Sequence, residues 1–157
     1  SGGAATAIEI TCALEGIREM SIFALKDSFF ANAEATVEKI RAHVPGCTVN
    51  LYDLADKETF YKEIGSSDIF TNATRVGMKP MDDQSLVEDT GMFRRDLVVS
   101  DVVYNPRTTK LLADAKAAGC RTIPGIGMLL WQGAEAFKLY TGREMPAKEV
   151  MEKYFSE

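Results

Sequence analysis

Apolar and polar residues form two patterns that alternate along this chain. Short runs rich in Val, Leu and Ile are followed by longer segments with apolar residues every three or four positions. The first pattern is typical of strands and the second of amphipathic helices. Their alternation favours an α/β fold, a parallel sheet with helices on both faces. Strands are predicted at 19–25, 48–54, 68–73, 97–104 and 121–123, and helices at 4–15, 29–43, 57–64, 108–118, 127–141 and 147–155.

The glycine pair at the start of the chain bears on how this sheet is built. In a Rossmann-like, doubly wound parallel sheet, the first strand leads into a glycine turn and lies at the centre. Only Ser1 precedes Gly2 and Gly3 here. We therefore expect one domain over 1–157 that lacks its first strand, with the remaining strands in two groups and a preceding segment of the same protein removed. The alternative is an arbitrary choice of chain start.

Composition and charge exclude several classes of protein. The 157 residues are 46% hydrophobic and 26% charged, as in ordinary globular domains. The net charge of −5 argues against a general nucleic-acid binder, which needs a basic face. No apolar run approaches the roughly 20 residues that span a bilayer, and no basic signal-peptide start is visible. We therefore expect a cytoplasmic protein that binds neither nucleic acid nor membrane.

Three cysteines and a single histidine leave little scope for a metal site. Cys12, Cys47 and Cys120 lie far apart in the sequence, and His43 is the only histidine. The sequence contains no CxxC motif and no cluster of Cys and His residues that would supply a full set of metal ligands. We expect no metal, and we expect the thiols to be small buried groups in a reducing cytosol.

The first residues of the chain have the composition of an anion-binding helix start. Gly2, Gly3 and Ala4 precede the first predicted helix. Glycine backbone can approach a pyrophosphate closely, and free N–H groups together with the helix dipole attract it. A plain flexible terminus is the alternative.

The first predicted strand ends in Ala24-Leu25-Lys26-Asp27, about twenty residues after the glycines. A carboxylate at this offset commonly accepts hydrogen bonds from the adenosine ribose of a dinucleotide. Asp27 in that role would repel a 2′-phosphate and favour NAD, whereas Lys26 beside it would soften the repulsion and admit NADP. The alternative for Asp27 is an N-cap or turn residue before the next helix.

Polar side chains also follow the later strands. Thr74 and Arg75 lie in a loop that suits passage under a nicotinamide or its ribose, with Arg75 in reach of a phosphate or the adenine. A solvated loop in which Gly77 permits a positive φ is the alternative. Because ligands of open α/β sheets bind outside the carboxyl ends of the strands, we expect Tyr104, Asn105 and Gln132 to face a bound small molecule.

Four segments of the chain together carry a family resemblance. Two are short: Gly2-Gly3-Ala4-Ala5-Thr6-Ala7 and Asn72-x-Thr74-x-x-Gly77-Met78. Two longer motifs are more specific: Asp101-x-x-Tyr104-Asn105-Pro106-x-x-Thr109-x-Leu111-Leu112-x-x-Ala115 and Gly125-x-Gly127-Met128-Leu129-x-x-Gln132-Gly133-Ala134-Glu135-Ala136-Phe137. Together they resemble the carboxy-terminal half of shikimate and quinate dehydrogenases, where the first is similar to the glycine turn and the second to a loop.

The resemblance implies the NAD(P)-binding part of an oxidoreductase that reversibly reduces 3-dehydroshikimate or 3-dehydroquinate. Its small-molecule partner would be a hydroxy acid, shikimate or quinate. The family's catalytic lysine and aspartate belong to an amino-terminal domain, so no catalytic residue is assigned here. Carried over, Tyr104 and Gln132 touch the hydroxy acid, and the cofactor contacts are Gly2, Gly3, Ala4, Ala24, Leu25, Lys26, Asp27, Thr74, Arg75, Val102, Val103, Tyr104, Asn105 and Gly125.

One departure from the family concerns the cofactor. Members that prefer NADP usually carry Asn-Arg followed by Thr or Arg where this chain has Ala24-Leu25-Lys26. The guanidinium that would pair with a 2′-phosphate is absent, which with Asp27 indicates the quinate/shikimate subtype that accepts NAD. Two other classes of function stay open: a non-catalytic, dinucleotide-binding regulatory module, and an interaction fragment that forms a homodimer through its unfilled sheet.

Overall fold

The computed structural model describes residues 2–155, which divide after Asp68 into two compact units. Each unit has its own parallel sheet and its own helices, so the predicted Rossmann-like α/β class is confirmed. The strands form one sheet of two and one sheet of three, the two groups that the sequence predicts. The assignment of 1–157 to one dinucleotide-binding domain stays a prediction.

The first unit alternates three helices with two strands: α1 (Gly3–Leu14), β1 (Glu19–Ala24), α2 (Phe30–His43), β2 (Thr48–Asp53) and α3 (Lys57–Ser66). β1 and β2 pair in parallel, in a register that sets Glu19 beside Thr48 and Ala24 beside Asp53. Both strands therefore end at the same edge. The core of the unit consists of buried side chains from α1, α2, the strands and Cys47 just before β2: Ala13, Ile22, Val37, Ile40, Cys47 and Val49.

The second unit contains β3 (Ile69–Asn72), a 3₁₀ helix (Thr90–Met92), β4 (Val98–Asp101), α4 (Lys110–Ala117), β5 (Arg121–Ile123), α5 (Ile126–Thr141) and α6 (Ala147–Val150). Its parallel sheet has the order β3-β4-β5, with β4 in the middle. The 3₁₀ helix is not foreseen from the sequence. The core gathers buried residues from the long loop before β4, from β4 and from α4: Val87, Phe93, Leu97, Val99, Leu111, Leu112 and Ala115.

Short polar residues and one glycine fix where several helices begin and end. The Asp56 carboxylate accepts the Thr59 N–H at 3.1 Å and caps α3. Thr109 does the same for α4. Gly142 ends α5 in the left-handed conformation, with φ of 68°. These are the sites where side-chain oxygens satisfy free backbone donors and where glycine stops a helix at no steric cost.

Two predicted elements are wrong in extent, while the others agree within two residues. The strand predicted at 97–104 ends at Asp101. Val102 N–H still donates to the Asn72 carbonyl at 3.0 Å, but Val103 N–H donates to Asp101 Oδ1 at 2.9 Å. That side chain takes the donor that a longer strand would need. The helix predicted at 147–155 is α-helical only to Val150, and Met151–Phe155 forms a π-helical turn.

Two further expectations concern membranes and cysteines. No helix formed by residues 2–155 is both long and apolar enough to cross a membrane. Cys47 and Cys120 are buried, as predicted, whereas Cys12 is only half-buried. Burial raises the pKa of all three thiols, which keeps them protonated and unreactive at neutral pH.

Candidate functional site

The start of α1 leaves backbone donors and open space beside the glycines. Gly2 has extended backbone angles and no side-chain cap, and the first bond of the helix runs from Thr6 N–H to the Gly2 carbonyl at 3.0 Å. The N–H groups of Gly3 and Ala4 therefore have no acceptor within the helix. A Cβ atom placed on Gly2 or Gly3 would meet nothing within 4 Å. Free backbone donors at the start of a helix are the groups that bind an anion.

The carboxyl end of β1 places Asp27 in a turn before α2. Its Oδ1 accepts the Phe29 N–H at 2.8 Å, and the side chain is exposed. The turn role is therefore present, although the first capping position of α2 is Phe29 and not Asp27. Because the side chain is exposed and only Oδ1 accepts this bond, the turn role is compatible with ribose binding. Ala24 is buried, whereas Leu25 and Lys26 are exposed.

Asp53, at the carboxyl end of β2, joins this edge and was missed from the sequence. Its Oδ2 lies 3.8 Å from Lys26 Nζ, and its Oδ1 accepts the Ala55 N–H at 2.9 Å. The strand register brings it there, since Ala24 and Asp53 are partners. A signal was available: a carboxylate that ends the next strand of a parallel sheet lies at the same edge as Asp27.

In the second unit, a buried carboxylate joins the ends of β3 and β4 to the start of α4. Asp101, Asn72 and Thr109 are each at most 1% exposed. Asp101 Oδ1 accepts from Asn72 Nδ2 at 3.0 Å, and Asp101 Oδ2 accepts from the Thr109 hydroxyl at 2.6 Å. Burial raises the pKa of the Asp101 carboxyl, against the lowering effect of its hydrogen bonds from Thr109, Val103 and Asn72.

The loop after β3 is folded onto this network. Asn72 Oδ1 accepts from the Thr74 N–H at 3.0 Å and from the Thr74 hydroxyl at 2.7 Å. Gly77 has φ of 97°, and a Cβ atom there would lie 3.2 Å from Thr109 Cβ, so both the backbone angle and the space require glycine. Thr74 is thus half-buried in the loop, while Arg75 is exposed. The positive φ predicted at Gly77 is confirmed.

Gly125 packs directly on the backbone that follows β4. A Cβ atom at Gly125 would lie 2.5 Å from the Val102 carbonyl oxygen and 2.6 Å from that of Val103. Gly125, Val102 and Val103, all predicted to border the cofactor, are therefore in direct contact. Tyr104, which follows, is 46% exposed. Asn105 and, on α5, Gln132 are also exposed. The roles assigned to all these residues stay predictions.

Comparisons with known proteins point to one family. Residues 125–153 match the model of the shikimate 5′-dehydrogenase C-terminal domain. The chain is 52% identical over 155 residues to shikimate dehydrogenase (NADP(+)) of Listeria monocytogenes, covering 99% of the chain and 53% of that relative. It therefore spans about half the length of the curated relatives it matches.

Solved structures agree. A crystal structure of shikimate 5-dehydrogenase from Listeria monocytogenes, in complex with shikimate and NAD, matches with a TM-score of 0.92 and 52% identity, over 98% of this chain and 53% of that one. Quinate dehydrogenase from Corynebacterium glutamicum, in complex with NAD, matches with a TM-score of 0.83 and 29% identity, over 99% and 52% of the two chains. As its motifs predict, the chain belongs to the shikimate and quinate dehydrogenase family and corresponds to the carboxy-terminal half of its members.

Proposed function

We propose that this chain is the cofactor-binding part of an oxidoreductase that reversibly reduces 3-dehydroshikimate to shikimate, or 3-dehydroquinate to quinate, with NAD(P)H. The observation that carries the proposal is the fixed backbone of Val102 and Val103 after β4. Asp101 holds it on one side through the Val103 N–H, and Gly125 packs on its carbonyls. A rigid backbone at the carboxyl end of a strand suits the positioning of a flat ring and its amide.

The remaining contacts divide between the two units. In the first unit, the free N–H groups at Gly3 and Ala4 bind the pyrophosphate, and Asp27 accepts from the adenosine ribose. In the second, Tyr104 and Gln132 orient the hydroxy acid through hydrogen bonds. When bound, the nicotinamide supplies the hydride that adds to the ketone carbon, whose oxygen takes a proton. We assign Tyr104 to binding and not to this proton transfer, because a phenol is a weak acid.

Several parts of the proposal reach beyond this chain. The acid–base groups belong to a preceding segment of the intact protein, as the family resemblance implies. We propose NAD as the favoured cofactor, with NADP accepted, because Asp27 and Asp53 both lie at the edge where β1 and β2 end. A cytoplasmic location and a homodimer stay predictions.

The test is a steady-state assay of the intact protein with shikimate and quinate, each with NAD⁺ and NADP⁺. We compare the wild type with Gln132→Ala and use Glu135→Ala, an exposed change on the same helix α5, as the control. Loss of a hydrogen bond to the hydroxy acid predicts a KM for the acid about tenfold higher in Gln132→Ala. The dissociation constants of NAD⁺ and NADP⁺ stay unchanged, and Glu135→Ala behaves as the wild type.

The outcomes separate the candidate functions. Turnover of either acid supports the dehydrogenase. Tight binding of a dinucleotide with no turnover of either acid contradicts it and favours the regulatory module. If Gln132→Ala leaves the KM unchanged, the substrate contact is assigned to the wrong residue while the cofactor role stands.

A further inference from the structure

The edge at which β1 and β2 end carries three charged side chains, and two of them are oriented by hydrogen bonds to the backbone. We call this the β1–β2 corner, defined by Lys26, Asp27 and Asp53. Asp53 Oδ1 accepts the Ala55 N–H at 2.9 Å, so its carboxylate is oriented by its own backbone. The other oxygen, Oδ2, lies 3.8 Å from Lys26 Nζ. The Asp53 side chain is 26% exposed and that of Lys26 66% exposed.

Asp27, the residue after Lys26, is oriented in the same manner. Its Oδ1 accepts the Phe29 N–H at 2.8 Å. The corner thus holds two backbone-fixed carboxylates and one flexible ammonium. Lys57, the nearest cation along the chain after β2, lies over the Phe60 ring, 5.3 Å from its centroid. Lys26 is therefore the cation of the corner that is placed to meet an anionic ligand group, and Asp53 already pairs with it.

We propose that Asp53 is a specificity-determining residue that selects a dinucleotide with a free adenosine 2′-hydroxyl over one with a 2′-phosphate. The inference rests on the proposed function. Asp53 has two effects on a ligand with a 2′-phosphate. Its carboxylate adds a second negative charge that repels the phosphate, and its ion pair with Lys26 competes with binding of the phosphate by that ammonium. The two atoms are 3.8 Å apart and the Lys26 side chain is largely exposed, so the pair contributes little to folding. Its role is in the choice of ligand.

The substitution Asp53→Asn separates these effects from local structure. The amide oxygen of asparagine still accepts the Ala55 N–H, whereas the charge and the ion pair with Lys26 are lost. Two unit charges about 4 Å apart in water interact by about 1 kcal/mol, which corresponds to about a fivefold change in affinity. A phosphate carries one to two charges, so we expect a gain of about five- to thirtyfold in affinity for NADP⁺ relative to NAD⁺.

The experiment measures dissociation constants of NAD⁺ and NADP⁺ for the intact protein by calorimetric titration. Asp53→Asn is compared with Glu38→Gln, which removes one charge from an exposed position of α2. The affinity ratio shifts about five- to thirtyfold toward NADP⁺ in the first variant and not in the second. In the double variant Lys26→Met/Asp53→Asn, the gain is smaller than in Asp53→Asn, because the released ammonium provides part of it.

Each other outcome has a definite meaning. An unchanged ratio in Asp53→Asn, with both dinucleotides still bound, overturns the role of Asp53 and leaves the proposed function intact. A shift of equal size in Glu38→Gln also overturns it, because the effect then comes from net charge. Failure of the wild type to bind either dinucleotide refutes the proposed function itself. If Asp53→Asn does not fold, Asp53→Ser, whose hydroxyl also accepts a backbone N–H, carries the same test.

Discussion

A methyl group added at Gly125 tests whether the backbone after β4 is held by direct contact. Gly125 has φ of −66° and ψ of −14°, angles that alanine adopts freely. Any cost of Gly125→Ala therefore comes from the space that Cβ occupies. That atom would lie 2.5 Å from the Val102 carbonyl oxygen, 2.6 Å from the Val102 carbonyl carbon and 2.6 Å from the Val103 carbonyl oxygen.

The magnitude follows from these distances. Ordinary contact needs about 3.4 Å or more, so the backbone at 102–103 must move by roughly 1 Å. Overpacking of this kind costs about 1–3 kcal/mol in the free energy of unfolding. A displacement of about 1 Å at a positioning element lowers kcat/KM by up to about a hundredfold. We expect both losses in Gly125→Ala of the intact protein.

The control is Gly127→Ala, two residues further along α5, where a Cβ atom meets nothing within 4 Å. Because alanine is the better helix former, this variant should be as stable as the wild type or up to about 1 kcal/mol more stable. Urea unfolding followed by circular dichroism gives the free energies, and initial rates give kcat/KM. If Gly125→Ala matches Gly127→Ala in both, the contact with Val102 and Val103 does not hold the site.

The buried carboxyls give three further predictions, all measured by urea unfolding of the intact protein. Asp101→Ala leaves the buried donors of Val103 and Thr109 unpaired and should lower the free energy of unfolding by about 3–5 kcal/mol. Asp101→Asn keeps an acceptor and should lower it by about 1 kcal/mol. Similar losses in the two variants would show that the hydrogen bonds to Asp101 do not stabilise the fold. Burial raises the pKa of Asp101 above its usual 3.8, so the stability that this carboxyl contributes is full below pH 3.8 and is lost as pH rises through the folded-state pKa. Asp101→Asn should therefore flatten the dependence of the free energy of unfolding on pH. The same pH dependence in Asp101→Asn and the wild type would disprove this. Glu9 is 8% exposed, its pKa is raised by burial, and its Oε2 has no hydrogen-bond partner among residues 2–155. Glu9→Ala should raise the free energy of unfolding by about 1 kcal/mol at pH 7 and by less at pH 4, where the carboxyl is largely neutral. Equal increases at the two pH values would show that the buried charge of Glu9 does not destabilise the fold.

The order and type of the elements could be predicted from the sequence because each depends on local pattern. The Leu-Val-Val run ending at Val99 indicates a strand buried on both faces. Val99 is fully buried in the middle strand of its sheet, whereas Val98 on the other face is only half-buried. Pro45-Gly46 indicates the end of a helix, and α2 ends at His43. The resemblance motifs likewise identify the strand ends and the glycine start because they are contiguous in the chain.

The partners of those strand ends could not be predicted from the sequence. Asp101 meets Asn72, which is 29 positions away, because β3 and β4 pair in a register that aligns them. Asp53 meets Lys26 for the same reason on β1 and β2. Register is a property of two strands, and the pattern of one strand does not contain it.

Local sequence therefore determined the elements, the strand ends that carry polar groups and the family. Tertiary structure decided which polar groups form hydrogen bonds, at which residue β4 ends and which glycine has space for a side chain. Gly125 and Gly127 are alike in the sequence, two residues apart at the start of α5. The space for a side chain is filled by the Val102 backbone at the first and is open at the second. Close packing is a relation between distant segments, so it becomes fixed only when the chain has folded.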